Sequence, residues 1–403
     1  MIPLNDRPLR VLAADDSTVM RSILRKLFLM QVKDRPDEVP PMELCGIARD
    51  GVECLEQVKK LKPDVLVLDL EMPRLNGLDV LDRLRVENPQ LPVITCSAYT
   101  EHGARSTLEA LGRGAVDYVT KPSGQRDFAG ALESLAQQLL PRIGALAREV
   151  RDVEEKTSSK ELQGIRQNEA APKTSSPIEV VVIGLSTGGP TALEQLLPKL
   201  PKDFPVPVLI TQHMPKLFTG ALVERLDKCC PLRVEEAYDN AVILPGTIWL
   251  APGDSHMEVA PRCAMGDDRG VQGRRSRVRL HQQEPLNHCR PSVDYLFFSA
   301  SKMYGAGTLA LVMTGMGADG LDGARAVREG GGVVLAQDKA TSAIWGMPGR
   351  VSAAGIANAT LPLSGIAGAL RQRVAAGYSV RLEPKASTRS GYVSLREMMH
   401  GLL

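Results

Sequence analysis

Aromatic residues make up only 4% of this 403-residue chain, too few to interleave a basic surface, so a base-stacking nucleic-acid platform is not expected. An excess of charge of either sign is also lacking. Forty-nine Lys and Arg against 47 Asp and Glu leave a formal net charge of +2, without the footprint of a polyanion binder. No apolar run reaches the length of a membrane span, so no membrane insertion is expected. Met1 to Leu9 lacks a basic stretch leading into an apolar one, which argues against a signal peptide. The cysteines (Cys45, Cys54, Cys96, Cys229, Cys230, Cys263 and Cys289) number seven and form no C-x-x-C pair. That usage fits free thiols in a reducing cytoplasm better than a disulfide framework or a structural zinc site. Internal repeats are missing as well.

What is present is an ordinary globular composition, 43% hydrophobic and 24% charged, in a chain long enough for two or three domains with real cores. Between residues 9 and 140, short apolar runs alternate with helical patterns. Leu9–Ala13, Val65–Leu68, Pro92–Cys96 and Val116–Val119 read as strands, and nearly all-apolar strands separated by helices imply a parallel sheet covered on both faces. Phe128, Leu132, Leu135 and Leu139 form one helical stripe expected to be buried, and Ile143, Leu146, Val150 and Val153 continue it past Pro141. From Glu154 to Pro177 the pattern dissolves into a polar segment that reads as a mobile linker. A second α/β unit follows, with strands expected at Ile178–Gly184, Val206–Thr211, Thr247–Ala251, Thr308–Met313 and Gly332–Ala336. Helical patterns lie near 190–200, 218–229, 293–303 and 319–330. An Arg- and Gly-rich stretch, Arg269–Arg277, reads as an exposed loop.

In the first unit Asp15-Asp16, Asp69, Ser97 and Lys121-Pro122 all fall at predicted strand ends. In a parallel sheet they share the carboxyl edge, where chemistry sits. Three converging carboxylates call for a hard divalent cation such as Mg²⁺. A carboxylate among metal ligands suits nucleophilic attack on a phosphoryl group, with Lys121 and the Ser97 hydroxyl available to its equatorial oxygens. Singly, Asp16-Ser17-Thr18 is a helix cap and Lys-Pro a turn; four such features in register are a stronger signal.

In the second unit Gly184-Leu-Ser186-Thr-Gly188-Gly189-Pro190 follows a strand and opens a helix. It reads equally as a nucleophile elbow carrying Ser186, as a dinucleotide turn, or as a capped tight turn. The missing Gly-x-Gly-x-x-Gly spacing weighs against the dinucleotide. A nucleophilic serine needs a base and an orienting carboxylate. His213 closes the next strand and His256 is its rival; Asp254, Asp319, Asp322 and Asp338 are the carboxylate candidates. Asp319 sits in a Gly-rich turn after the strand Thr308–Met313. The order Ser, His, Asp differs from that of α/β-hydrolases.

The segments Val11-Leu-Ala-Ala-Asp-Asp-Ser17, Val67-Leu-Asp-Leu-Glu-Met-Pro-Arg-Leu-Asn-Gly77 and Asp117-Tyr-Val-Thr-Lys-Pro122 resemble the receiver domain of two-component response regulators. A Pro-rich segment, Gln31–Pro41, is longer than that family usually has. Five blocks resemble the catalytic domain of chemotaxis-type protein-glutamate methylesterases: Ile183–Gly189, Gln212-His-Met-Pro215, Ala251-Pro-Gly-Asp254, Arg290-Pro-Ser-Val-Asp294 and Thr314–Gly320. The resemblance implies two doubly wound α/β domains, a flavodoxin-like receiver (8–140) and a Rossmann-like methylesterase domain (178–378). A partly helical, flexible linker (141–177) joins them, and a tail (379–403) of open role follows. It implies Asp69 as phospho-acceptor, Asp15, Asp16 and Asp69 as Mg²⁺ ligands, and Ser97, Tyr118 and Lys121 as switch hydroxyl, switch aromatic and phosphate counter-charge. Ser186 is then implied as nucleophile, His213 as base and Asp319 as its orienter, with Met316 and Thr187 contributing to the oxyanion site and no cofactor for the ester step. The implied substrate is the methylated cytoplasmic helix of a chemoreceptor, with glutamine deamidation as a related activity and a histidine kinase as phosphodonor. A response regulator whose second domain only binds receptors is the alternative expectation.

Overall fold

The protein is described from a computed structural model covering residues 7–33, 41–123, 127–158, 176–261 and 276–382. Residues 159–175 of the expected linker, Cys263, residues 269–275 of the Arg-rich stretch, most of the Pro-rich segment and most of the tail lie outside the described residues.

The first unit runs β1 (Leu9–Ala14), α1 (Thr18–Lys33), β2 (Met42–Ala48), α2 (Gly51–Leu61), β3 (Val65–Asp69), α3 (Gly77–Glu87), β4 (Val93–Ser97), α4 (Glu101–Gly112), β5 (Asp117–Thr120) and α5 (Phe128–Ser158). Its five strands pair in the order β2-β1-β3-β4-β5, all parallel. Alternate residues feed two cores: Leu12, Ala14, Leu66 and Leu68 on one face, Val11, Ala13, Val65 and Val67 on the other. That two-sided burial is why these strands are apolar throughout.

The second unit runs β6 (Val180–Leu185), α6 (Gly189–Leu196), β7 (Val208–Gln212), α7 (Lys216–Cys229), β8 (Arg233–Glu236), β9 (Thr247–Leu250), β10 (His256–Pro261), β11 (Ser276–His281), α8 (Val293–Tyr304), β12 (Thr308–Val312), α9 (Leu321–Glu329), β13 (Val333–Gln337), α10 (Met347–Ala353), β14 (Ala359–Leu361) and α11 (Leu363–Leu382). Seven strands form a parallel sheet, β14-β13-β12-β6-β7-β9-β8, and β10 with β11 forms a separate antiparallel pair. The expected α/β architecture is therefore present in both units. Strands β2, β8, β10, β11 and β14 were not anticipated. β2, β8 and β14 are edge strands and β10 and β11 form a two-stranded pair; all are partly exposed, so they lack the continuous apolar run that marks an interior strand.

The α5 stripe differs from expectation at its start. Leu135, Leu139, Ile143 and Leu146 are buried, but Phe128 is 47% exposed, because the first turn of α5 overhangs the end of the core. The side chains of Val150 and Val153 lie outside the described residues. No described helix is long and apolar enough to cross a membrane.

The two units pack against each other through α4 and β5 of the first and α6 and α7 of the second. The buried Tyr118 ring stacks on Phe218 with centroids 4.8 Å apart, and Tyr99 stacks on the same ring at 6.2 Å. Around this apolar contact, Arg105 pairs with Glu224 at 3.4 Å, and the Thr187 hydroxyl donates to Asp117 Oδ2 at 2.6 Å. Leu108, Leu111, Leu193 and Phe218 consequently belong to one continuous buried cluster.

Candidate active site and acceptor site

Each sheet has a point where successive connections leave a strand in opposite directions, opening a crevice at its carboxyl end. In the first sheet this lies between β1 and β3; Asp15 and Asp16 follow β1, and Asp69 ends β3. Carboxylate oxygens of these three residues lie within 4.8 Å of one another. Asp15 and Asp69 are buried while Asp16 is exposed. From β5, Lys121 Nζ reaches Asp15 Oδ2 at 3.1 Å and Asp69 Oδ2 at 2.7 Å. Burial, with Asp15 adding repulsion, pushes the Asp69 carboxyl up to about 6 despite the Lys121 ammonium. The same two carboxylates raise the Lys121 pKa even though burial opposes its charge. Among the described residues, no donor other than this ammonium faces the two buried Oδ2 atoms. An all-oxygen cluster short of positive charge fits a hard divalent cation. The Ser97 hydroxyl, at the end of β4, donates to Gly103 O at 3.0 Å instead of facing the acceptor.

In the second sheet the crevice lies between β6 and β12. Ser186 follows β6, its N–H donating to Thr314 O at 3.0 Å in the turn after β12. That close approach requires Gly315, where a Cβ would lie 2.8 Å from Ser186 Cβ. Gly188, at φ +77°, completes the turn into α6 in a conformation that L side chains rarely adopt. Gln212, the last residue of β7, donates to Ser186 O at 2.9 Å and fixes the loop to the neighbouring strand. His213 follows it, and its Nε2 lies 2.7 Å from Asp319 Oδ2.

Asp319 is almost fully buried and richly bonded. It accepts from Ser292 Oγ (2.7 Å), Val293 N (2.6 Å) and Asn287 Nδ2 (3.1 Å) besides His213. Val293 opens α8, so the carboxylate also faces the positive end of that helix. Burial would raise its pKa; the bond to His213, then Ser292 and Val293, more than offset this and hold it at about 2. Asp319 is thus ionised, so Nε2 carries the proton and Nδ1 presents the lone pair of the neutral ring. Burial disfavours the imidazolium, but Asp319 and then Cys289 outweigh it and raise the His213 pKa. Nδ1 faces Cys289 Sγ at 3.6 Å, and among the described residues the Ser186 hydroxyl makes no hydrogen bond to the ring. Ser186 and His213 nonetheless line one cavity of about 890 Å³, together with Thr187, Met316 and Cys289. Among the described residues, the Thr187 and Met316 N–H groups have no backbone or side-chain acceptor. The far wall belongs to the first unit: Tyr118, Thr120, Gln138 and Arg142 line the same space.

The sequence patterns carried by these sites match known families. Residues 181–370 match the family described as CheB methylesterase, and residues 11–133 match the response regulator receiver domain. A protein-glutamate methylesterase/protein-glutamine glutaminase of Trichodesmium erythraeum is 40% identical over 365 residues, 91% of this chain and 99% of that relative. The chain belongs to the CheB methylesterase family. Relatives of the same description from Nocardioides sp. and Thermotoga maritima are 41% and 39% identical, each covered over 96% of its length by 91% and 89% of this chain.

The rival residues of the sequence reading lie elsewhere or act differently. Asp254 pairs with Arg290 at 2.6 Å, Asp338 accepts from Thr341 at 2.6 Å, and Asp322 is exposed. His256 is buried, accepting from Ser292 N on Nδ1 and lying 3.2 Å from Glu284 O on Nε2, and burial lowers its pKa. It props the turn that holds Asp319. Sequence reasoning gave no role to Gln212, Asn287, Cys289 or Ser292. The available signal was Asn287-His288, which with Leu286 and Cys289 forms a tight turn at φ +54° and +61°. Paired left-handed residues bring the flanking side chains back together.

Proposed function

We propose that the chain is a phosphorylation-regulated protein-glutamate methylesterase that releases methanol from glutamyl methyl esters on chemoreceptor helices. In this reading residues 8–140 are the receiver and 178–378 the catalytic domain, acting in the cytoplasm. The observation that carries it is the His213–Asp319 pair at 2.7 Å on the wall of the cavity that also holds Ser186. His213 Nδ1 takes the Ser186 proton as the hydroxyl attacks the ester carbonyl. Asp319 keeps the proton on Nε2 and stabilises the imidazolium. The Thr187 and Met316 N–H groups receive the oxyanion, each such donor being worth about 3 kcal/mol. The imidazolium then protonates departing methoxide, and water hydrolyses the glutamyl-enzyme through the same ring. A receptor glutamine would follow the same acyl route with ammonia leaving.

Asp69 is the phospho-acceptor in this reading, and a histidine kinase the donor. Asp15, Asp16 and Asp69 would hold Mg²⁺, which supplies positive charge at the transferring phosphoryl group. Lys121, now bridging Asp15 and Asp69, pairs with the phosphoryl oxygens. The Ser97 hydroxyl leaves Gly103 O to reach them, and Tyr118 shifts from its stack on Phe218. Because receiver residues wall the ester cavity, a receptor helix enters only when that packing opens.

Methanol release from methylated receptor membranes, with and without a phosphodonor and Mg²⁺, tests the reading. Ser186→Ala is expected to lower turnover by about 10⁶-fold; wild-type turnover in that variant would refute it. A serine-directed fluorophosphonate probe that fails to label the wild type would favour the receptor-binding alternative.

A further inference from the structure

The site holds one contact that ester hydrolysis does not use. Cys289 Sγ lies 3.6 Å from His213 Nδ1, the nitrogen that bears the lone pair of the neutral ring because Nε2 is committed to Asp319. Cys289 is half-buried, lines the cavity, and is held there by the Leu286–Cys289 turn, with hydrogen bonds of 3.2 and 2.9 Å between the two backbones. The three side chains place potential ligand atoms within 4.8 Å of one another.

Zn–S and Zn–N bonds of about 2.3 and 2.1 Å at a tetrahedral angle subtend a chord of about 3.6 Å. The Sγ···Nδ1 separation therefore matches the spacing of two ligands on one tetrahedral ion. A metal-bound imidazole ordinarily donates its second N–H to a carboxylate, which fixes the tautomer and orients the ring. Asp319 already does this at 2.7 Å. A thiolate and an imidazole select borderline and soft divalent ions, whereas Mg²⁺ prefers the all-oxygen cluster of the receiver. The cavity of about 890 Å³ leaves space for water to complete four-coordination.

We propose that Cys289 and His213 form a binding site for a thiophilic divalent cation such as Zn²⁺, with Asp319 behind the imidazole, and that the bound ion shuts the esterase. The ion replaces the thiol proton and, where the ring is charged, the Nδ1 proton, forming M–S and M–N bonds and releasing those protons to solvent. It occupies the lone pair that would remove the Ser186 proton, so metal binding and proton abstraction exclude each other. The inhibitory part rests on the reading of His213 as the base; the binding part does not.

The test uses the full chain in excess Mg²⁺, to saturate the receiver carboxylates. Cd²⁺ binding is followed by its thiolate charge-transfer absorption, and methanol release is titrated with Zn²⁺. Wild type should show a charge-transfer component that Cys289→Ser abolishes, His213→Gln weakens on the order of tenfold or more, and Ser186→Ala leaves intact. Zn²⁺ should inhibit wild-type turnover, reversibly on chelation, while Cys289→Ser turns over without metal and needs at least about tenfold more Zn²⁺ for the same inhibition. An absorption component unchanged by Cys289→Ser overturns the site. Binding at Cys289 with Zn²⁺-insensitive turnover overturns the inhibitory role. Binding as expected in a protein that releases no methanol at all would instead sink the esterase reading and leave the metal site standing.

Discussion

At the scale of single residues, what separates Asp319 from Asp254, Asp322 and Asp338 is the number of donors aimed at it. Four groups besides His213, counting the Asp294 N–H at 3.3 Å, point at its two oxygens. Replacing Asp319 by Asn would invert the donor pattern and favour the wrong imidazole tautomer. The expected loss is about 10⁴-fold in kcat, read from methanol release. Ser292→Ala removes one donor, so the acid limb of the pH–rate profile should shift while the fold persists. In the receiver the logic runs the other way. Asp69 is buried beside Asp15 with its pKa pushed up to about 6, so its charge opposes folding near neutral pH. A raised carboxyl pKa costs stability fully above the folded value, and the cost declines as pH falls from there to the unfolded value of about 3.9, below which it is gone. Asp69→Asn should therefore stabilise the receiver by about 1 kcal/mol at neutral pH without divalent ions, measurable by urea unfolding. A lower midpoint would contradict that electrostatic account.

At the scale of elements, one turn and one aromatic stack do much of the positioning. The turn from β6 into α6 carries Ser186 and passes through Gly188, where a Cβ would also come within 2.6 Å of Ala343 Cβ. Gly188→Ala should cost about 1–2 kcal/mol for the left-handed backbone alone, together with a drop in turnover as the serine shifts. The β5–α7 contact is different in kind, since Tyr118 and Phe218 belong to different domains. A stacked pair is worth about 0.5–1.5 kcal/mol beyond its buried area. Tyr118→Ala should therefore favour the open arrangement by roughly 2- to 10-fold, seen as higher methanol release without phosphodonor and a smaller gain with it. Unchanged basal release would place the closure elsewhere, with Asp117 and Thr187 the next contact to remove.

For the whole molecule, the receiver is both sensor and wall. Removing residues 1 to about 150 should raise basal turnover, because Tyr118, Gln138 and Arg142 no longer line the cavity; a truncated enzyme no faster than the full chain would contradict the blocking role. The catalytic domain also sets stability and activity against each other in pH. The His213 pKa is raised to about 10 in the folded protein against an unfolded value of about 6.5. The stabilising pair with Asp319 is fully present below about pH 6.5 and is lost as pH rises through the folded value. Proton abstraction needs the neutral ring, so turnover should climb over the same interval. Denaturant midpoints and methanol release at about pH 6 and 9, compared with His213→Gln for stability, check both signs.

The chain by itself determined the two parallel α/β units and the strand-end positions of Asp15, Asp69, Lys121, Ser186, His213 and Asp319. Interior strands are buried on both faces and must be apolar, so the polar residue that ends each one stands out. Edge strands such as β2, β8 and β14 carry no such mark, because one side faces solvent. Ser186 stayed ambiguous on its own turn, since three chemistries share a Gly-rich strand–helix junction. Spacing left four carboxylates open to His213, and only the family blocks pointed to Asp319; the tertiary structure alone decided that His256 props a turn, that Ser97 faces Gly103, and that Cys289 shares the imidazole. Apart from Ser97 with Gly103, those pairings join residues dozens to more than a hundred positions apart, and periodicity along a chain encodes which face a residue lies on, not which distant side chain it meets.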